Sequence, residues 1–222
     1  MRMTEKINEI LDIDDAFKAP PKVLEILLNK EQRCDVFHRF LELFKYNLDE
    51  DFWHIYFQEE VAQRKKQKQD FTPMSVADLV SQLTETSNLN GMYYEAAAGT
   101  GGMMIAKWNT DRHKHLPWNY NPSNYVYICE ELSDRTFPFL IFNMAIRGMN
   151  GAAVHCDVLT RDCYGVFFVS NDSNNPIAFS NVNVMPYSSE AEKYFKVKFT
   201  DKKYPPHVES ASILTSKDVM YV

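Results

Sequence analysis

The stretch Tyr94-Glu95-Ala96-Ala97-Ala98-Gly99-Thr100-Gly101-Gly102 constrains this chain most, because it reads as a strand that ends in a glycine turn and opens a helix. Glycines let the backbone approach a ligand closely, and the unpaired N–H groups of a helix N-terminus suit a carboxylate or phosphate. Two glycines alone would equally serve a tight strand-to-helix turn. The surroundings have to decide.

After Pro73 short β-rich runs alternate with helical ones, the pattern of an α/β domain on a mostly parallel sheet. Met92-Tyr93-Tyr94 leads the first strand, Tyr125-Val126-Tyr127-Ile128 the second, Ala152-Ala153-Val154-His155 the third and Val166-Phe167-Phe168-Val169 the fourth. Helices are expected at 102–108 and 133–149, and Pro138 predicts a kink or a late start in the second. Before Pro73 the chain reads as helices, with apolar spacing at Val23, Ile26, Leu27 and at Val36, Phe40, Leu41, Phe44. Ala19-Pro20-Pro21 separates the first helix from the second. A third helix runs through Phe52, Ile55, Tyr56 and Val61 toward a basic run at 64–68, with Asp49, Glu50 and Asp51 suited to its positive N-terminal end. The expected division is a helical appendage over 1–68 and an α/β domain over 69–222.

Charged residues at 24% and hydrophobic ones at 45% argue for an ordinary globular core. A net charge of −6 argues against unaided DNA binding, which needs a basic face. The basic run 64–68 reads as a solvated helix face. No apolar stretch approaches the roughly 20 residues of a membrane span, and the start lacks a signal-peptide core, so a cytoplasmic location is expected. Cys34, Cys129, Cys156 and Cys163 form no C-x-x-C pair, which argues against zinc and disulfides. His113 and His115 lack a third ligand at metal-site spacing, and no metal is expected.

Two features agree with a ligand-binding turn. In Gln69-Asp70-Phe71-Thr72-Pro73, Thr72 is placed to cap a helix begun by Pro73. Glu130 ends the second strand, where open α/β folds set an acidic side chain against ribose hydroxyls, and Glu131 beside it is a rival.

In order, the Phe71-Thr72-Pro73 segment, the Ala98-Gly99-Thr100-Gly101-Gly102 turn, the acidic strand end, Asn143-Met144-Ala145-Ile146-Arg147-Gly148 and Cys156-Asp157 form an ordered set. This set resembles adenine-N6 DNA methyltransferases, namely the modification subunits of type I restriction-modification systems and small phage-encoded versions. The resemblance implies a Rossmann-like class I S-adenosylmethionine-dependent methyltransferase fold. It implies S-adenosylmethionine across the strand ends: the methionine part over Gly99, Thr100 and Gly101, its ammonium on Glu95, the ribose on Glu130 and the adenine near Asp157. Phe71 and Thr72 would close the pocket.

The family presents the flipped adenine to Asn-Pro-Pro-Tyr or a close variant, whose oxygens accept from the exocyclic amine while the aromatic ring stacks. This sequence lacks that tetrapeptide. By its place after the fourth strand, Asn171-Asp172-Ser173-Asn174 is the nearest equivalent, with Asn171 as the acceptor; Val184-Met185-Pro186-Tyr187 is the other, with Tyr187 as the stacking ring. After Asn174 little chain remains for both the last strands, expected at 194–199 and 211–222, and a target-recognition domain, so the fold is read as shortened. In type I systems a separate subunit reads the DNA, and the resemblance implies a partner specificity subunit or host protein here. Two functions stay open: an adenine-N6 methyltransferase with a degenerate acceptor motif, and a catalytically inactive methyltransferase-fold protein acting on host restriction or replication proteins. Another ribose-bearing ligand in the same fold ranks behind both.

Overall fold

A computed structural model describes residues 2–54, 56–57, 72–84 and 88–210. Phe71, the basic run 64–68 and residues 211–222 lie outside them.

The chain begins with α1 (Met3–Leu11), α2 (Ala19–Leu27) and α3 (Lys30–Leu43). Pro20 and Pro21 sit in the first turn of α2, where a fixed φ and a missing N–H are harmless. Asn29 caps α3 by accepting the Gln32 N–H at 3.1 Å. After the helical residues near Trp53 come α4 (Met74–Leu83), β1 (Gly91–Glu95), α5 (Gly102–His113), β2 (Tyr125–Glu131), α6 (Phe137–Ile146) and β3 (Gly151–Cys156). The chain continues through β4 (Asp162–Ser170), β5 (Asn181–Val184), α7 (Ser189–Phe195) and β6 (Lys198–Phe199).

The α/β architecture expected from the sequence is the one observed. The strands lie in the order β1-β2-β3-β4-β5, with β6 against the start of β4. Strands β1, β2 and β3 are parallel, and each crossover carries a helix. The sheet is parallel-rich, as expected, but the link from Cys156 to Asp162 is too short for a crossover helix, so β4 returns antiparallel. Strand β5 then runs antiparallel to β4.

Helix α6 explains why the N-terminal helices are where they are. Its sequence Phe-Pro-Phe-Leu-Ile-Phe-Asn-Met-Ala-Ile is apolar around the whole circumference, and all of it is buried. One side packs on the sheet, and the other needs a cover. Phe37 and Phe40 of α3 set their rings 4.7 and 4.8 Å from Phe142, and Trp53 stacks on Phe139 at 4.1 Å. The N-terminal helices, α5, α6 and the inner sheet face thereby share one continuous apolar cluster. A smaller cluster of Ala152, Val154, Cys156, Cys163, Val166 and Val197 lies on the opposite face. There β1 contributes Met92 and Tyr94, which are 60% and 55% exposed.

Of three local expectations, one is narrowed and two change. Pro138 produces a late start, because it sits in the first turn of α6. Thr72 makes no cap: α4 starts at Met74 with Pro73 at its N-cap position and no side-chain bond to the first turn. Residues 189–195 form a helix instead of part of a strand, since Ser188 accepts the Ala191 N–H and Glu190 and Glu192 occupy the positive first turn. Only Lys198–Phe199 is extended there.

Candidate cofactor groove

A groove of about 680 Å³ runs along β1 from the glycine turn, between α4 and α5. Its size falls in the range of small-molecule sites, roughly 300–1,000 Å³. Thr72, Glu95, Gly99 and Thr100 line it together, joined by Ser81 of α4 and Lys107 of α5.

The turn is held from several sides. Ala97, Gly99 and Gly101 all have positive φ, at 58°, 60° and 95°. The Ala98 N–H donates to the Glu130 carbonyl at 2.8 Å, the Gly99 N–H to a Glu131 carboxylate oxygen at 2.7 Å, and the Gly101 N–H to the Ala98 carbonyl at 2.9 Å. A side chain at Gly99 would meet open space, as a ligand cradle requires. Gly101 differs: a Cβ there would come within 2.8 Å of Met104 and 2.9 Å of Leu140. It permits close packing of α5 on α6 and does not line the groove.

Glu95 supplies the groove with an acidic group. The Tyr93 hydroxyl donates to it at 3.0 Å. Burial pushes the Glu95 carboxyl up to about 7, against the hydrogen bonds from Tyr93 and from the Met104 backbone, and the charge of Glu131 adds to the rise. A cation brought to this carboxyl would restore its ionised form.

The other predicted residues lie elsewhere. Phe71 falls outside the described residues. Glu130 is buried and gripped by Arg161, whose Nη1 and Nη2 donate to its two carboxylate oxygens at 2.6 and 2.8 Å. Its carboxylate is therefore engaged on the face away from the turn, because successive strand residues point to opposite sides. Glu131, the rival, is the one that reaches the turn. Asp157 closes the hairpin between β3 and β4, accepting the N–H groups of Leu159 and Thr160 at 2.7 and 3.2 Å. It does not line the groove.

Topology places both acceptor candidates away from the groove. Since β4 runs antiparallel, it ends beside the beginning of β3, with Val169 opposite Gly151. Asn171 thus lies at the sheet end opposite the glycine turn. Its amide donates to the carbonyls of Gly148 and Asn175 at 3.1 and 2.8 Å, and its oxygen accepts from Ser173. Tyr187 packs edge-on against Phe199, with its hydroxyl bonded between the Tyr164 carbonyl and the Tyr204 N–H. Neither residue lines the groove.

Sequence reasoning missed a buried polar cluster behind the turn. Asp51, well ahead of β1 in the chain, accepts from the Thr100 hydroxyl and from Asn143 Nδ2, the latter at 2.8 Å. Arg147 donates to Asn143 Oδ1 at 2.8 Å and to the carbonyls of Leu48 and Glu50. The signal was present in Asn143 and Arg147, two polar residues at i, i+4 spacing in and just after an apolar helix. Cys156 and Cys163 are buried thiols pushed up to about 12 and about 11 by burial, which keeps them neutral.

The family described as N-6 DNA Methylase matches residues 50–213. A crystal structure of the type I restriction-modification system methyltransferase subunit from Streptococcus thermophilus is similar over 71% of this chain, with 17% sequence identity and a TM-score of 0.38. The chain spans 38% of that subunit's length. No curated protein matches it. No described helix is long and apolar enough to cross a membrane.

Proposed function

The chain belongs to the N-6 DNA methylase family, and from that premise we propose that it binds S-adenosylmethionine at the glycine turn, in the cytoplasm, as a DNA adenine-N6 methyltransferase-like protein that meets DNA through a partner. The observation that carries this reading is the half-buried Glu95 carboxyl on a groove that Gly99 leaves open. These two features suit the methionine part of the cofactor: Glu95 would hold the ammonium, and the Gly99 backbone would pass close beneath the chain. Neither glutamate lines the groove: Glu130 is held by Arg161, and Glu131 accepts the Gly99 N–H and so holds the turn from behind. Bound, the cofactor supplies an electrophilic methyl group on a sulfonium.

An adenine acceptor half is not assembled around this groove among the described residues. Asn171 is engaged in backbone hydrogen bonds at the far end of the sheet. This observation favours the second reading, a methyltransferase-fold protein that acts by interaction with host restriction or replication proteins. A net charge of −6 supports DNA recognition by another chain, a specificity subunit or a host protein.

The experiment is titration calorimetry with S-adenosylmethionine, followed by tritiated-methyl transfer to unmethylated DNA with the chain alone. Binding without appreciable transfer is the expected result. Absence of binding at millimolar cofactor would remove the cofactor reading, and robust transfer dependent on Asn171 would restore the acceptor role expected from the sequence.

A further inference from the structure

We infer that Asp51 is a positioning residue for the glycine turn, which makes the segment leading out of the N-terminal helices a working part of the cofactor site. The inference rests on the cofactor reading of the groove. It starts from the turn's own conformation: Gly99 and Gly101 take positive φ freely, but Ala97 holds φ at 58°, a costly region for a residue with a Cβ, so contacts from outside the turn must keep it there.

Backbone bonds fix the turn at Ala98, Gly99 and Gly101. Thr100 is fixed differently. Its side-chain hydroxyl donates to one oxygen of Asp51, and its carbonyl accepts from Asn143 Nδ2 at 2.8 Å. The same Asn143 nitrogen donates to the other Asp51 oxygen at 2.8 Å, which closes a ring of hydrogen bonds through Asp51, Thr100 and Asn143. Asp51 is itself immobilised. It accepts the Trp53 N–H at 3.1 Å, and Arg147 clamps the preceding loop through the carbonyls of Leu48 and Glu50.

Asp51, Thr100 and Asn143 are 2%, 2% and 0% exposed, so a lost partner leaves a buried polar group unsatisfied. Asp51 and Thr100 both border the groove beside Gly99 and Glu95. Asp51 therefore acts on a ligand through Thr100: removing its acceptor frees the residue between the two glycines, and the cradle loses its shape. A carboxylate is suited to this because it accepts all three hydrogen bonds at once, which an amide in its place cannot do.

The test uses the full chain and S-adenosylmethionine. Calorimetric affinity should weaken about tenfold or more in Asp51→Asn and in Thr100→Val, and the double variant should be no weaker than the worse single one, since both remove one interaction. Thr100→Ser, which keeps the hydroxyl, should rescue most of the loss seen in Thr100→Val. Hydrogen exchange should quicken in Asp51→Asn at residues 97–102 while α2 and β3 keep their protection. Unchanged affinity in Asp51→Asn, additive losses, or faster exchange across the whole chain would overturn the inference. If the native chain binds no cofactor, the cofactor reading fails by itself. Hydrogen exchange at 97–102 then still decides whether Asp51 positions the turn.

Discussion

Glu131 accepts the Gly99 N–H at 2.7 Å, so the last residue of β2 is tied to the turn residue beside which a side chain would meet open space. Its other oxygen accepts the Ser133 N–H at 2.8 Å, which fixes the carboxylate's orientation. Glu130, one residue earlier, faces Arg161 instead.

The two adjacent carboxylates should therefore separate cleanly by mutation. Glu131→Ala should weaken S-adenosylmethionine binding about tenfold or more. Glu130→Ala should leave affinity within about threefold and lower unfolding stability by about 1–3 kcal/mol, less than a fully buried pair because Arg161 stays in contact with water. Calorimetry and urea unfolding of both variants check this. The reverse pattern would return the ribose role to Glu130.

Asn171→Ala should act on stability alone. It deletes an amide that satisfies the carbonyls of Gly148 and Asn175, and an unsatisfied buried acceptor costs about 1–3 kcal/mol. The urea midpoint should fall, with S-adenosylmethionine affinity unchanged.

Cofactor affinity should depend on pH through Glu95. Its folded pKa is raised to about 7, so burial favours the protonated form; its contribution to stability is complete at low pH and is lost as pH rises through about 7. An ammonium ligand needs the opposite form. Affinity should therefore rise between about pH 5.5 and 7, by up to about tenfold per unit, and Glu95→Gln should flatten the profile. Calorimetry across that range is the measurement, and an unchanged slope in Glu95→Gln would show that another group titrates.

The Arg33–Glu209 pair should be a principal stabilising contact between α3 and the segment after β6. Arg33 donates to both Glu209 oxygens at 2.8 and 2.6 Å, and the side chains are 1% and 7% exposed. Removing one partner strands a buried charge, so Glu209→Ala should cost about 3–5 kcal/mol. Burial opposes ionisation of Glu209, but the hydrogen bond and charge of Arg33 outweigh it and hold its pKa below the usual range. That contribution is present above the ordinary carboxylate pKa of about 4.3 and is lost as pH falls below it. Thermal melts from pH 7 to 3 should show a steeper loss in the native chain than in Glu209→Ala.

Much of the architecture was legible in local pattern. The glycine turn, the three parallel strands and the helices between them follow from period and turn chemistry, which neighbouring residues decide. The late start of α6 is likewise dictated by Pro138. Asn143 and Arg147 were legible as polar residues around an apolar helix, but their partner was not. Asp51 lies 92 residues from Asn143 in the chain, and nothing local joins them.

What the sequence by itself determined is the set of elements and the chemistry each can carry. Only the tertiary structure decided which groups meet. Adjacent strand residues point to opposite faces, so two consecutive glutamates look equivalent until the sheet shows that α5 and α6 cover one face and Arg161 the other. Likewise Asn171 follows a fourth strand in either reading, and the antiparallel return after Cys156 carries it to the end remote from the turn. Strand direction follows the length of a connection, and that length is known only once pairing in the sheet shows that β4 begins at Asp162, ahead of the apolar run from Val166.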